Sequence, residues 1–250
     1  MKKVDCFWEK RNLGEKVVEF VVEDSDYYDN LIFEDKIEDY DYQVVKVPVN
    51  KIDFNLGLSK LGFSLMELQM DMSVNPKHFN YELKQIKWIS SFVRLTEVHN
   101  QSELDEILER IKPQMFNTDR ISLDPYYGME KGCSRYKHWV QDEFDKQTAG
   151  FIKIEYNNIH VGFVMYRLNS EIRGLLGGIY HNYQNMGLGI LTPCTLPLFV
   201  KMKQLPVNKI VGNISSNNRP VWELYEALGY KVTNPHYVFI RHQKKEEKSI

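Results

Sequence analysis

The sequence predicts a chain of the α/β class: a mixed sheet with helices packed on it, preceded by a smaller α/β lobe. Three observations predict it. The runs VVEFVV (17–22) and YQVVKVPV (42–49) are rich in β-branched residues and have strand length. SELDEILERI (102–111) has helical spacing and an acidic first turn. Between 150 and 179 three strand patterns follow one another through tight turns, and helix and strand alternate from there to residue 242.

Taken in order, the first lobe holds strands at 17–22 and 42–49, then a helix within 50–62 (NKIDFNLGLSKLG) that Gly62 stops. FSLMELQMDMSV (63–74) alternates Leu65, Glu67, Gln69 and Asp71 against Met66, Leu68, Met70 and Met72, the pattern of a half-buried strand. Residues 75–91 carry Pro76 and mixed charge and read as a boundary, giving lobes at 1–90 and 91–243 and a charged tail at 244–250. The second lobe opens with a strand at 92–98 and the helix at 102–111, for which Ser102 and Asp105 form a capping box. A long loop (117–132), a short helix (134–144) and strands at 150–156, 160–168 and 172–179 follow, with Asn157-Asn158 as a hairpin turn. After a glycine-bearing stretch come a helix, a strand at 209–214, a helix at 220–228 and a strand at 237–242. LSKLGF (58–63) echoes LYEALGY (224–230), each before a strand. The echo reads either as a partial internal repeat or as two instances of a common helix cap.

The chain has 250 residues, 43% hydrophobic and 26% charged, enough for a large core. A net charge of −2 gives no basic field for nucleic acid. Cys6, Cys133 and Cys194 are three and widely spaced, which argues against a disulfide framework or a cysteine zinc site; no metal is expected. The lack of an apolar leader and of a membrane-length apolar run points to the cytoplasm, with no membrane partner.

YHNYQNMGLG (180–189) follows a strand and precedes an apolar stretch. Glycines let backbone approach a ligand, and N–H groups at a helix start make an anion pocket. The stretch is neither a Walker loop nor a GxGxxG fingerprint. It resembles the Gln/Arg-x-x-Gly-x-Gly/Ala loop of the GCN5-related N-acetyltransferases. NNRPVWELYEALGY (217–230) resembles that family's Asn…Tyr…Gly-aromatic segment, with Asn218 and Tyr225 on one helix. The order of elements over 92–242 is similar too. The resemblance implies the family's fold, a central mixed, mostly antiparallel sheet flanked by helices, and a partial copy of it in the first lobe.

It also implies acetyl-CoA as the acyl donor. Gln184, Asn185, Met186, Gly187, Leu188 and Gly189 would wrap its diphosphate. Gly178 and Ile179 would offer amides to the carbonyl oxygen, Asn218 would hold the pantetheine or acetyl region, and Tyr225 would protonate the departing thiolate. Met186 replaces a frequent Lys or Arg, and His181 a frequent Pro. Pro193 and Pro197 fall where the family has a regular helix; with Thr192 as cap Pro193 could open it, but Pro197 implies a distortion. No general base stands out; Glu155, Glu171, His160 and His181 are candidates by type.

RISLDPYYGMEKGCSRYKHWVQ (120–141) resembles a segment of acetyltransferases of the dTDP-fucosamine type, which carry an incomplete acetyltransferase-like lobe before the catalytic one. Arg120, Asp124, Tyr126, Tyr127, Tyr136 and Trp139 are therefore the candidate acceptor-binding residues, Arg for a phosphate and aromatics for a base or sugar. The acceptor implied is a small-molecule primary amine, with a nucleotide-linked amino sugar as the finer reading, and a homodimer is a further expectation. The alternatives are transfer to a small amine, an aminoglycoside or a peptide N-terminus, and a non-catalytic CoA-binding interaction module.

Overall fold

A computed structural model describes residues 1–29 and 39–243. Residues 30–38 and the expected charged tail at 244–250 lie outside the described residues.

The chain packs as two compact units. The first comprises Met1–Met70 and the described residues from Asn234 onward; the second is Asp71–Thr233. The division thus falls within two strands, and the expected boundary at 90/91 lies inside the second unit.

In the first unit, β1 (Lys2–Asp5), α1 (Glu9–Leu13), β2 (Val17–Val21), β3 (Tyr42–Pro48) and α2 (Ile52–Lys60) lead into β4 (Ser64–Val74). β1 and α1 were not anticipated from sequence. β2 runs antiparallel to β1 and parallel to β3. Val18, Phe20, Val45, Val47, Phe54 and Leu58 bury a core between sheet and helix. Gly62, at φ +80°, ends α2, and the Phe63 N–H reaches back to Leu58 O at 3.0 Å. That is the cap expected of a glycine in the left-handed region.

The second unit takes over within β4. It continues with α3 (Lys84–Ser90), β5 (Val93–Glu97), α4 (Gln101–Arg110), α5 (Gly128–Asp145), β6 (Gly150–Tyr156), β7 (Ile159–Leu168) and β8 (Ile172–Ile179). Two 3₁₀ turns, His181–Met186 and Leu188–Ile190, lead into α6 (Leu191–Lys203), then β9 (Ile210–Ser215), α7 (Arg219–Ala227) and β10 (Lys231–His242), which returns to the first unit. Strands β5 to β8 form an antiparallel meander and β9 pairs parallel to β8, the mixed and mostly antiparallel sheet expected. Asn157 and Asn158 both hold positive φ, 50° and 64°, as a two-residue hairpin turn requires. One face of the sheet carries α3, α6 and α7 around Ile172, Leu191, Cys194 and Ile210; the other carries α4 and α5 around Leu104, Ile107, Val140 and Phe163.

Several expectations need correction. Residues 84–90, for which no element was expected, are helical, with Ile86 and Ile89 buried in the core that α6 shares. α5 starts at Gly128, six residues before the expected helix and inside the expected loop. The alternation of β4 does not translate into one polar exposed face: Glu67 and Asp71 are 5% and 9% exposed. α4 is capped not by Ser102 but by Asn100, whose Oδ1 accepts the Glu103 N–H at 3.0 Å, while Glu103 accepts the His99 N–H at 2.8 Å. Asn100→Ala should therefore cost about 1 kcal/mol of unfolding free energy in urea titration, whereas Ser102→Ala should cost little. Among the described residues no helix is long and apolar enough to cross a membrane.

Candidate active site

The site begins where two strands part. β8 and β9 pair in parallel only through Ile172–Ile210, Arg173–Val211 and Gly174–Gly212. At that point β8 takes up one extra residue: Gly174 faces Tyr166 and Leu176 faces Met165, leaving Leu175 as a bulge. Beyond it the strands splay. Asp71 ties the two strands at the parting point: its carboxylate accepts from Arg173 on β8 at 3.2 Å and from Asn213 on β9 at 3.1 Å. Sequence reasoning missed this tie, since its three members lie far apart in the chain.

The backbone of β8 then presents groups to the gap. Tyr180 N–H donates to Val161 O at 2.8 Å, and Gly178 stands opposite Phe163. Bonded residues alternate in an antiparallel ladder, so the Gly178 N–H points at β7 while those of Gly177 and Ile179 point away from it. The Gln184 side-chain amide reaches Ile179 O at 3.2 Å on that open side. Of the two amides expected to be available, Ile179 faces the gap and Gly178 does not; Gly177 takes its place.

Tyr225 closes the gap from α7. A Cβ on Gly212 would lie 3.0 Å from the Tyr225 hydroxyl, so glycine at 212 is what admits the phenol against β9. Burial, with Cys194 adding to it, pushes the Tyr225 phenol above its ordinary value. Cys194 is itself fully buried and pushed up to about 12 by burial. One turn before Tyr225, Trp222 Nε1 is buried without an acceptor. Asn218 stands at the N-terminal end of α7, but its side chain makes no cap hydrogen bond.

The glycine stretch is not an irregular loop. Two 3₁₀ turns meet at Gly187, whose φ of +70° supplies the left-handed link. Gln184, Asn185 and Met186 are exposed there, and Leu188 is buried. Leu188, Gly189 and Ile190 open a helical run that continues as α6, so their N–H groups lie at its positive end. Pro193 is the third residue of α6, whose N-cap position is Ile190 and not Thr192. Pro197 lies inside the helix without ending it. Its missing N–H leaves Pro193 O without its usual partner, and the buried Tyr230 hydroxyl donates to that oxygen at 2.8 Å.

The α4–α5 connection covers the other side. Met115 and Phe116 lie 3.5 Å from where a Gly178 Cβ would be, and Ser215 at the end of β9 donates to Thr118 O at 3.3 Å. Tyr136 packs on Phe116, ring centroids 4.9 Å apart, and Trp139 lies beyond at 6.5 Å. Of the six expected acceptor residues, Tyr136 comes nearest the gap, through Phe116; the Trp139 indole N–H donates to Glu143 at 3.2 Å, and Arg120 is partly buried in the same connection. Asp124 is buried, and its carboxylate accepts the Tyr126 N–H at 3.0 Å just ahead of α5. Tyr127 is buried as well, and Tyr126 is 73% exposed. Met115, Phe116, Thr118 and Ser215 were not foreseen; no sequence signal marks them.

Among the candidate bases, Glu171 is bound to Arg173 and Lys209, and Glu155 to Thr96. His160 is held by the Tyr180 hydroxyl at 2.9 Å, and burial lowers it to about 4. Burial also raises Tyr166, to about 12, and Tyr180 and Tyr230. The folded state holds these protons more tightly than the unfolded chain, which loses them near pH 10. Stability should therefore be unaffected by these groups below about pH 9 and fall as pH rises through about 10, measurable as a declining urea midpoint.

No protein-family model matches the chain, and no curated protein does either. Solved structures do. A functionally unknown conserved protein from Staphylococcus epidermidis superposes with a TM-score of 0.61 at 11% identity, over 91% of this chain and 84% of its own. A GCN5-related N-acetyltransferase from Kribbella flavida gives 0.51 at 13% identity, over 82% and 70%. A tandem protein of the same fold from the clavulanic acid biosynthesis pathway gives 0.53 at 9% identity, over 87% and 68%. At such identities the likeness is one of fold: the chain has the fold of the GCN5-related N-acetyltransferases.

Proposed function

We propose that the chain is an acetyl-CoA-dependent N-acetyltransferase acting on a primary amine. The observation that carries this reading is the splay of β8 and β9 at Gly174–Gly212, with the Tyr225 hydroxyl against it and the glycine turn at the end of β8. Acetyl-CoA, when bound, supplies an acetyl group activated as a thioester. The residues present fit it. The amides of Leu188, Gly189 and Ile190 suit a diphosphate, and the buried Trp222 Nε1, lacking an acceptor, suits a carbonyl of the pantetheine arm.

The chain's own groups divide the chemistry. Gly177 and Ile179 turn their N–H groups to the side where charge develops on the carbonyl oxygen. Tyr225 holds a proton on Oη at physiological pH, as any phenol does, and burial raises it further, leaving that proton for a departing thiolate. The nucleotide-linked amino sugar is the finer reading of the acceptor, supported by Phe116 beside Gly178, Tyr136 packed on it and Arg120 in the same connection. The three cysteines are free and buried, which suits a reducing compartment such as the cytoplasm.

We further propose that the first unit is a degenerate copy of the second, a reading supported by matching helix ends. Gly229 (φ +83°) ends α7 as Gly62 ends α2, and Tyr230 N–H returns to Tyr225 O at 3.1 Å as Phe63 N–H returns to Leu58 O. Leu58 thus stands where Tyr225 stands, so the first unit has no proton donor there. The test is thiol release from acetyl-CoA against nucleotide-linked amino sugars, small amines, aminoglycosides and peptides. Release with one class is expected; CoA binding without release across all of them would overturn the transferase reading.

A further inference from the structure

We infer that α3 recognises the 3′-phosphoadenosine end of CoA, with Trp88 against the adenine and Lys84 at the 3′-phosphate; this rests on the acetyl-CoA reading above. An open groove of about 540 Å³ runs between α3, the glycine turn and α7. It starts at Gly187, the residue that links the two 3₁₀ turns beside the proposed diphosphate position. In CoA the adenosine is attached directly to the diphosphate, so whatever holds the diphosphate must leave room for adenosine next to it. This groove is that room.

Its walls match the chemistry. Ile190 and Leu224 form an apolar side, and the Trp88 indole is 57% exposed at the rim. Trp88 is backed by Phe92 at 5.5 Å and Tyr156 at 6.2 Å, centroid to centroid, which sets its plane before a base arrives. A flat purine is a partner for such a ring. Lys84 is exposed and has no hydrogen bond or ion pair among the described residues, whereas its neighbour Lys87 is paired with Glu82. A dianionic 3′-phosphate would give Lys84 its counter-charge. The wall is fixed in place: Ile86 and Ile89 are buried in the core beneath α6, and the Tyr81 hydroxyl donates to Pro197 O at 3.1 Å.

The test is equilibrium titration of the whole chain with CoA and with 3′-dephospho-CoA, followed by calorimetry. The unaltered chain is expected to bind CoA about tenfold more tightly than dephospho-CoA, a single charge-assisted contact. Lys84→Gln should abolish that preference while leaving dephospho-CoA affinity unchanged. Trp88→Ala should weaken both ligands by about tenfold. A retained preference in Lys84→Gln, or Trp88→Ala affinity within about twofold of the original, would overturn the inference while the acetyl-CoA reading stands. No CoA binding by the unaltered chain would overturn both. Thermal melts, in which Lys84→Gln should match the parent and Trp88→Ala should lose only its Phe92 and Tyr156 ring contacts and stay folded, separate a lost contact from a lost fold.

Discussion

Tyr225→Phe should lower kcat for acetyl transfer by about 10²- to 10⁴-fold and leave CoA affinity nearly unchanged, the range typical of removing a positioned general acid. The ring stays because its packing against Tyr230, centroids 4.6 Å apart, needs no hydroxyl. Only the proton on Oη is lost, at the place where Gly212 lets it approach β9. Burial raises the phenol, so the unaltered protein should show no fall in rate from this group as pH rises from 7 to about 9, within the range where an ordinary tyrosine is also protonated. Single-turnover rates for the variant and parent at saturating acetyl-CoA check this. Equal rates would remove Tyr225 from the chemistry and leave it a packing residue of α7.

The second large effect concerns the helix that carries the glycine turn. Tyr230→Phe leaves Pro193 O buried without a donor, because Pro197 cannot supply the N–H that a regular helix would. A cost of about 1–3 kcal/mol is expected in urea unfolding. In a Pro197→Ala background the restored N–H can reach Pro193 O, so the same Tyr230→Phe change should cost less, with a coupling of about 1 kcal/mol or more. Strict additivity would show that the hydroxyl and the proline act independently. The result bears on function because α6 opens with the amides proposed to face the diphosphate. The two prolines looked like grounds for doubting that helix, and the Tyr230 hydroxyl supplies the donor that Pro197 lacks.

How much of this was legible depended on how local each signal is. β6 and β8 were read to the residue, since β-branched runs, glycine and the Asn157-Asn158 turn fix them within a few positions. α3 was not, because its apolar face consists of Ile86 and Ile89 and gains meaning only against α6. α5 was started late because two glycines in GMEKG read as a loop. Gly132 is there for another reason: a Cβ would lie 2.3 Å from Ser122 Oγ, so the glycine marks a close approach and not a break. Asp71 followed the alternation of β4 correctly but not its burial, because Arg173 and Asn213 pair with it from positions more than a hundred residues away. In the site, Tyr225 and the glycine turn were visible as spacing. The bulge at Leu175, the turned-away amide of Gly177 and the contribution of Phe116 are properties of strand register and loop course, which no single stretch encodes.

The most direct measurement is the position of the CoA sulfur in a crystal structure of the complex. The sulfur should lie in the splay between β8 and β9, within hydrogen-bonding reach of Tyr225 Oη, with the diphosphate on the amides of Leu188, Gly189 and Ile190. CoA bound with its sulfur outside the splay, or with Tyr225 turned from it, would contradict the account.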